Sequence, residues 1–134
     1  MALIVLIACS KTKLDHAAPA CRLYRGERFE LAHKKAERLG ADYVFVLSAK
    51  YGLVPIDEVI EPYDESLEDK TPEERDFWAR KVVHQLVHKP YLAGDWKIIM
   101  LAEDLYADPL KSHLRFAKYP LAGLDVDAQK LFLA

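Results

Sequence analysis

Cysteine is scarce in this chain of 134 residues: Cys9 and Cys21 are the only two. That is too few for the disulfide framework that small secreted domains depend on, and each has a Lys or Arg close by, so reduced thiols in a cytosolic protein are expected. Long apolar runs are also missing. The stretch Met1 to Ala8 is apolar but far shorter than the roughly 20 residues a membrane span needs. It also lacks the basic leader of a signal peptide, so it reads as a buried strand. There is no excess of positive charge either: 19 Lys and Arg against 21 Asp and Glu leave a net charge of −2. The chain as a whole has no electrostatic pull toward nucleic acid, and any such binding needs a local patch. His84 and His88 stand four apart, but no His-Glu-x-x-His pattern surrounds them and no third ligand is evident, so they read as a surface pair. No metal or cofactor is expected. No low-complexity joint and no fixed repeat divides the chain, which predicts a single domain over 1–134.

What is present is an ordinary globular balance, 51% hydrophobic and 30% charged. Leu3 to Ala8 is a continuous apolar run, the pattern of a strand covered on both faces in a parallel sheet. Cys9 to Lys13 turns abruptly polar, and Pro19 keeps the following stretch extended. Apolar residues at helical spacing predict a helix from Gly26 to Leu39, stopped by Gly40, and Asp42 to Leu47 is the second strand. That order makes a right-handed crossover. Thr71-Pro72-Glu73-Glu74 is a capping box with Pro at the first helical position, opening a helix that runs to about His88. Trp96 to Leu101 is the third strand, and a helix over Asp104 to Phe116 follows, with Pro109 separating or kinking its first turns. The tail from Lys118 predicts a short fourth strand and a closing helix. The fold expected is therefore α/β, a three-layer αβα sandwich around a small, mainly parallel sheet of about four strands, with Trp78 and Trp96 in its core.

Ligands in such sheets bind outside the carboxyl ends of the strands. Three loops qualify: Cys9 to Lys13, Ser48 to Gly52 together with Pro62 to Asp64, and Ala102 to Tyr106. Cys9 is the candidate nucleophile, because ammonium groups at Lys11 and Lys13 favour a thiolate; the competing reading is a small buried hydrophobe at a strand end. Lys11, Lys13 and Lys50 suit holding a phosphate or developing negative charge, against a reading as solvated loop lysines. Tyr63 and Asp64 follow Pro62, and an aromatic ring beside a carboxylate suits stacking on a base while its edge is read; the alternative is a self-capped turn. Ser10, Ser48, Tyr51, Gly52 and Tyr106 complete the expected border, Gly52 as a tight turn or close approach.

The pattern Cys9-Ser10-Lys11-Thr12-Lys13, Ala18-Pro19-Ala20, Leu23-Tyr24, Leu47 to Leu53, Pro62-Tyr63-Asp64 and Leu121 to Leu124 resembles an uncharacterised family of small bacterial and phage proteins. Ser48 to Asp64 is more distantly similar to the Leu-Ser-Gly-x-Tyr-Gly-Leu…Pro-Tyr-Arg segment of YaaA-like peroxide-stress proteins, with Asp64 where they carry Arg. Those proteins are related by fold to uracil-DNA glycosylase-like domains and to domains of archaeosine synthase and 7-deazaguanine DNA modification. The resemblance implies nucleobase chemistry. Cys9-Ser10 is similar to the Cys-Ser start of archaeosine-synthase-type domains, which implies that a thiolate adds to a nitrile or amidine carbon.

Together these readings lead to an enzyme acting on a purine-like or deazapurine base, free or in a nucleotide, with Cys9, Asp64 and Lys50 as the catalytic candidates. The rivals are an N-glycosidase or deoxyribosyl transferase that uses Asp64, and a non-catalytic nucleotide or nucleic-acid binding module.

Overall fold

The computed structural model describes residues 1–92 and 94–134. Its centre is β1 (Ala2–Ala8), whose residues Ile4 to Ile7 are wholly buried. The run is apolar without alternation because both of its faces are covered: Ile4 and Leu6 point into one core, Val5 and Ile7 into the other. β1 pairs in parallel with β3 (Tyr43–Ser48) on one side and with β6 (Trp96–Leu101) on the other.

The chain leaves β1 through α2 (Glu27–Arg38) to reach β3, then returns past β1 through α3 (Pro72–Val87) to reach β6. Right-handed crossovers that travel in opposite directions must put their helices on opposite faces. The packing agrees. Phe29, Ala32 and Ala36 of α2 share a core with Val5 and Ile7, whereas Trp78, Ala79, Val82 and Leu86 of α3 share one with Ile4, Leu6 and Phe45. The next helix, α4 (Asp104–Lys111), joins the α3 face, and the last, α5 (Val126–Leu133), sets Leu133 into the α2 face. With the short α1 (Ala20–Leu23), the described residues form a mixed α/β fold of five helices on a four-stranded, mostly parallel sheet.

The fourth strand is not in the tail. It is β4 (Gly52–Pro55), which turns back along β3 and pairs with it antiparallel at the sheet edge. Two features reverse the chain there. The Tyr51 amide donates to Ser48 Oγ at 3.0 Å, and Gly52 takes a left-handed φ of +81°. Pro55, which has no amide hydrogen, is tolerated because β4 is an edge. The tail contributes one isolated bridge, Lys118 beside Ile99, before Asp125 caps α5 through the Ala128 amide.

The remaining features are local. The extended Ala18–Pro19 is β2, paired antiparallel with β5 (Val59–Ile60). The capping box at Thr71 is present in both directions, Thr71 Oγ1 accepting from the Glu74 amide and the Glu74 carboxylate accepting from the Thr71 amide. Helix α4 keeps Pro109 inside it and stops at Lys111, not Phe116. No described helix is long and apolar enough to cross a membrane.

Candidate active site at the carboxyl edge of the sheet

β1 feeds a helix on one face of the sheet and β6 feeds a helix on the other, so their connections diverge and leave a crevice between the two strand ends. A cleft of about 470 Å³ lies there. Ala8, Phe29, Ala32, Leu101, Leu121 and Leu133 supply its apolar surface, while Cys9, Ser10, Lys11 and Tyr106 of the expected site line it.

Cys9 sits where β1 ends, a free and half-buried thiol whose backbone amide still donates to Leu47 O at 3.2 Å. Its Sγ lies 3.3 Å from Tyr106 Oη. Ser10 ties the loop to the start of α2: its hydroxyl donates to Thr12 O at 2.7 Å and accepts from the Gly26 amide at 3.2 Å. A Cβ at Gly26 would lie 2.7 Å from Ser10 Cβ, closer than packed carbons come, so this approach requires glycine.

The cleft's ionic groups are all paired. Lys11 meets Glu68 at 2.8 Å, Arg28 meets Glu103 at 3.2 Å, and Lys130 meets Glu27 at 2.9 Å. Three cations therefore face three carboxylates, and the lining carries no net charge. The Glu68 carboxylate beside Lys11 holds its ammonium above the ordinary lysine range and keeps it turned to that partner. Arg28 also donates to the Oε1 of buried Gln129 at 3.0 Å, and Gln129 in turn donates to Leu124 O at 2.9 Å.

Behind Cys9 stands a different wall. Tyr24 and Tyr63 share a hydrogen bond of 2.6 Å between hydroxyls, Ser48 Oγ donates to Tyr63 Oη at 2.7 Å, and the Tyr51 amide completes the chain at Ser48. Trp78 Nε1 donates to Ser48 O at 2.8 Å, and the Trp78 ring meets Tyr106 edge-on, with centroids 5.8 Å apart. Burial pushes the Tyr24, Tyr63 and Tyr106 hydroxyls well above the usual tyrosine range, and the nearness of Cys9 adds to the shift in each case. These phenols keep their protons at neutral pH. Lys13 belongs to this wall, its Nζ 4.4 Å from the Tyr63 ring centroid. Burial pushes its pKa down, and Cys9 and Asp64 pull it back up.

The expected border is thus divided. Cys9, Ser10, Lys11 and Tyr106 meet in the cleft. Ser48, Tyr51, Tyr63 and Lys13 form the wall behind it, where Tyr63 is committed to two hydroxyls and to Lys13, not to an open stacking face, while Gly52 makes the turn against Gln85. Asp64 is exposed and outside the cleft lining. Lys50 is exposed as well, with its Nζ 5.3 Å from the Tyr51 ring centroid. The His84 and His88 rings stack at 4.1 Å.

Sequence reasoning did not find Arg28, Glu103 and Gln129, which come from three separate elements and form no local motif. The available signal was positional. Glu103 follows β6 by two residues, and Arg28 lies in the first turn of α2, to whose start Ser10 ties the Cys9 loop.

A family model described as a family of unknown function, DUF6884, matches residues 4–134, and the chain belongs to that family. A search of curated proteins finds no match.

Proposed function

We propose, with membership of a family of no assigned activity as the premise, that the protein is a cytoplasmic enzyme acting on a purine-like or deazapurine base or its nucleoside, with Cys9 as the nucleophile. One observation carries this reading. The Cys9 thiol lies at the divergence of β1 and β6, on the wall of a cleft whose volume is in the range of small-molecule sites. The layered order, with its site at the carboxyl edge, also supports kinship with uracil-DNA glycosylase-like domains.

The character of the cleft favours a base over a nucleic-acid backbone. Phe29, Leu101, Leu121 and Leu133 in its lining offer apolar contact to a flat ring, and its cations are already neutralised by carboxylates. A phosphodiester chain would find no uncompensated positive charge along the rim. Asp64, exposed and away from the cleft, lends no support to N-glycosidic chemistry.

The reaction begins when the Cys9 thiol adds across the carbon–nitrogen multiple bond of a nitrile or amidine on the base. The S–C bond forms, the carbon–nitrogen π bond opens, and the proton released from sulfur ends on that nitrogen. From a nitrile this adduct is already the thioimidate; from an amidine it is a tetrahedral adduct that becomes the thioimidate by expelling ammonia, and an amine or water then displaces the Cys9 thiol. Incubation with a nitrile-bearing deazapurine base, followed by intact-mass analysis and peptide mapping, tests this. One added base on Cys9, absent from Cys9→Ala, is expected. An adduct that persists in Cys9→Ala, or none in the wild type, overturns it.

A further inference from the structure

We infer that Tyr106 is a positioning residue for Cys9: its hydroxyl sets the direction of the thiol and donates a hydrogen bond to the sulfur once the proton has left. The inference rests on the reading of Cys9 as nucleophile, but it is tested without any substrate.

Tyr106 lies in the first turn of α4 and is 5% exposed. Its ring has little room to swing, because its neighbour Trp78 meets it at an interplanar angle of 74° and is itself anchored through Nε1 to Ser48 O at 2.8 Å. Ser48 is completely buried and fixed from two more sides, by Tyr63 Oη and the Tyr51 amide. A continuous line of contacts therefore runs from the Ser48–Gly52 turn through Trp78 and Tyr106 to the Cys9 sulfur. The turn then acts on the cleft through Tyr106 without touching a ligand.

In the resting thiol the S–H donates to Tyr106 Oη. When a base in solution removes that proton, the phenol O–H turns and donates to the sulfur. Among the described residues, Lys13 on its own loop, Tyr24 after α1, Tyr63 after β5 and Tyr106 on α4 stand near enough to interact with the charge of Cys9, and the ion pairs Lys11–Glu68 and Arg28–Glu103 line the same cleft. Lys13 is the cation of the wall, and the buried Tyr106 phenol keeps its proton for donation. A donor at the sulfur has two opposed effects on reactivity. It raises the fraction of thiolate at neutral pH, and it makes each thiolate a weaker nucleophile.

Alkylation by iodoacetamide reads both effects. The S–C bond forms as the C–I bond breaks and iodide leaves, and mass spectrometry follows Cys9 with Cys21 as an internal reference. Tyr106→Phe keeps the ring and its contact with Trp78. It is expected to slow Cys9 alkylation about three- to tenfold at pH 7, and to bring it level with or above the wild-type rate at pH 10. A ratio that is the same at both pH values, or no change at all, overturns the inference; a purely structural loss would give the constant ratio and would also move Cys21. Should Tyr106→Phe not fold, Trp78→Phe, which releases the Tyr106 ring, carries the same test with a smaller crossing. A crossing with no base adduct would leave the inference standing and sink the proposed reaction. An adduct with no crossing does the reverse.

Discussion

The cleft between β1 and β6 and the wall behind it, from Ser48 to Tyr63, are both polar, but in different ways. The cleft is polar by ion pairs on side chains that remain partly solvated, Arg28 and Glu103 being 37% and 29% exposed. The wall is polar by neutral hydroxyls that satisfy one another, with Ser48 fully buried at their centre. Solvated ion pairs cost little to rearrange around a ligand, whereas a buried hydroxyl chain is costly to open and holds its members in one geometry. Cys9 stands where the two meet, and under the proposed function the cleft would take the ligand while the wall holds the geometry.

The sharpest way to break the comparison is to remove the junction. Cys9→Ala is expected to abolish base modification, a loss on the order of a thousandfold or more, while the urea midpoint stays near that of the wild type. Next come lesions in the wall. Ser48→Ala deprives Tyr63 Oη and the Tyr51 amide of a buried partner at once, and urea denaturation should report about 1–3 kcal/mol of lost stability. Gly52→Ala forces a side chain into a left-handed conformation, with its Cβ on the Gln85 amide oxygen, and should cost a similar amount, about 1–3 kcal/mol. Lesions in the cleft should leave stability largely alone and change ligand choice. Glu103→Gln uncovers the Arg28 charge, so a nucleoside monophosphate should gain a few-fold over its nucleoside at low salt, and the gain should fade by about 0.5 M salt. Smallest of all, Lys11→Met uncovers Glu68 on a largely solvated rim. It should disfavour the monophosphate slightly and leave the urea midpoint unmoved.

The legibility of the sequence follows the same division. The strand at Leu3 to Ala8 and the capping box at Thr71 are written in contiguous residues, and both are present in the structure. Ser48 to Tyr63 stood out as a candidate stretch for the same reason. Its internal strand did not, because Gly52–Pro55 is four residues long, includes a glycine and a proline, and is defined by pairing with β3. The cleft was half visible. Cys9 and Tyr106 sit at strand and helix ends, where topology directs attention. Gln129 joins the site only because α5 folds back onto α2, and the Lys11 ammonium is engaged by Glu68, 57 residues away. Tertiary partners of that kind leave no mark on a local pattern.

The proposed function requires a base to occupy the cleft against Cys9. The measurement is the iodoacetamide alkylation rate of Cys9 and of Cys21 in the same molecule, with and without a saturating purine nucleoside. Protection of Cys9 by about fivefold or more, with Cys21 unchanged, is the result the cleft predicts. Equal rates at Cys9 with and without nucleoside, or equal protection of both thiols, would contradict it.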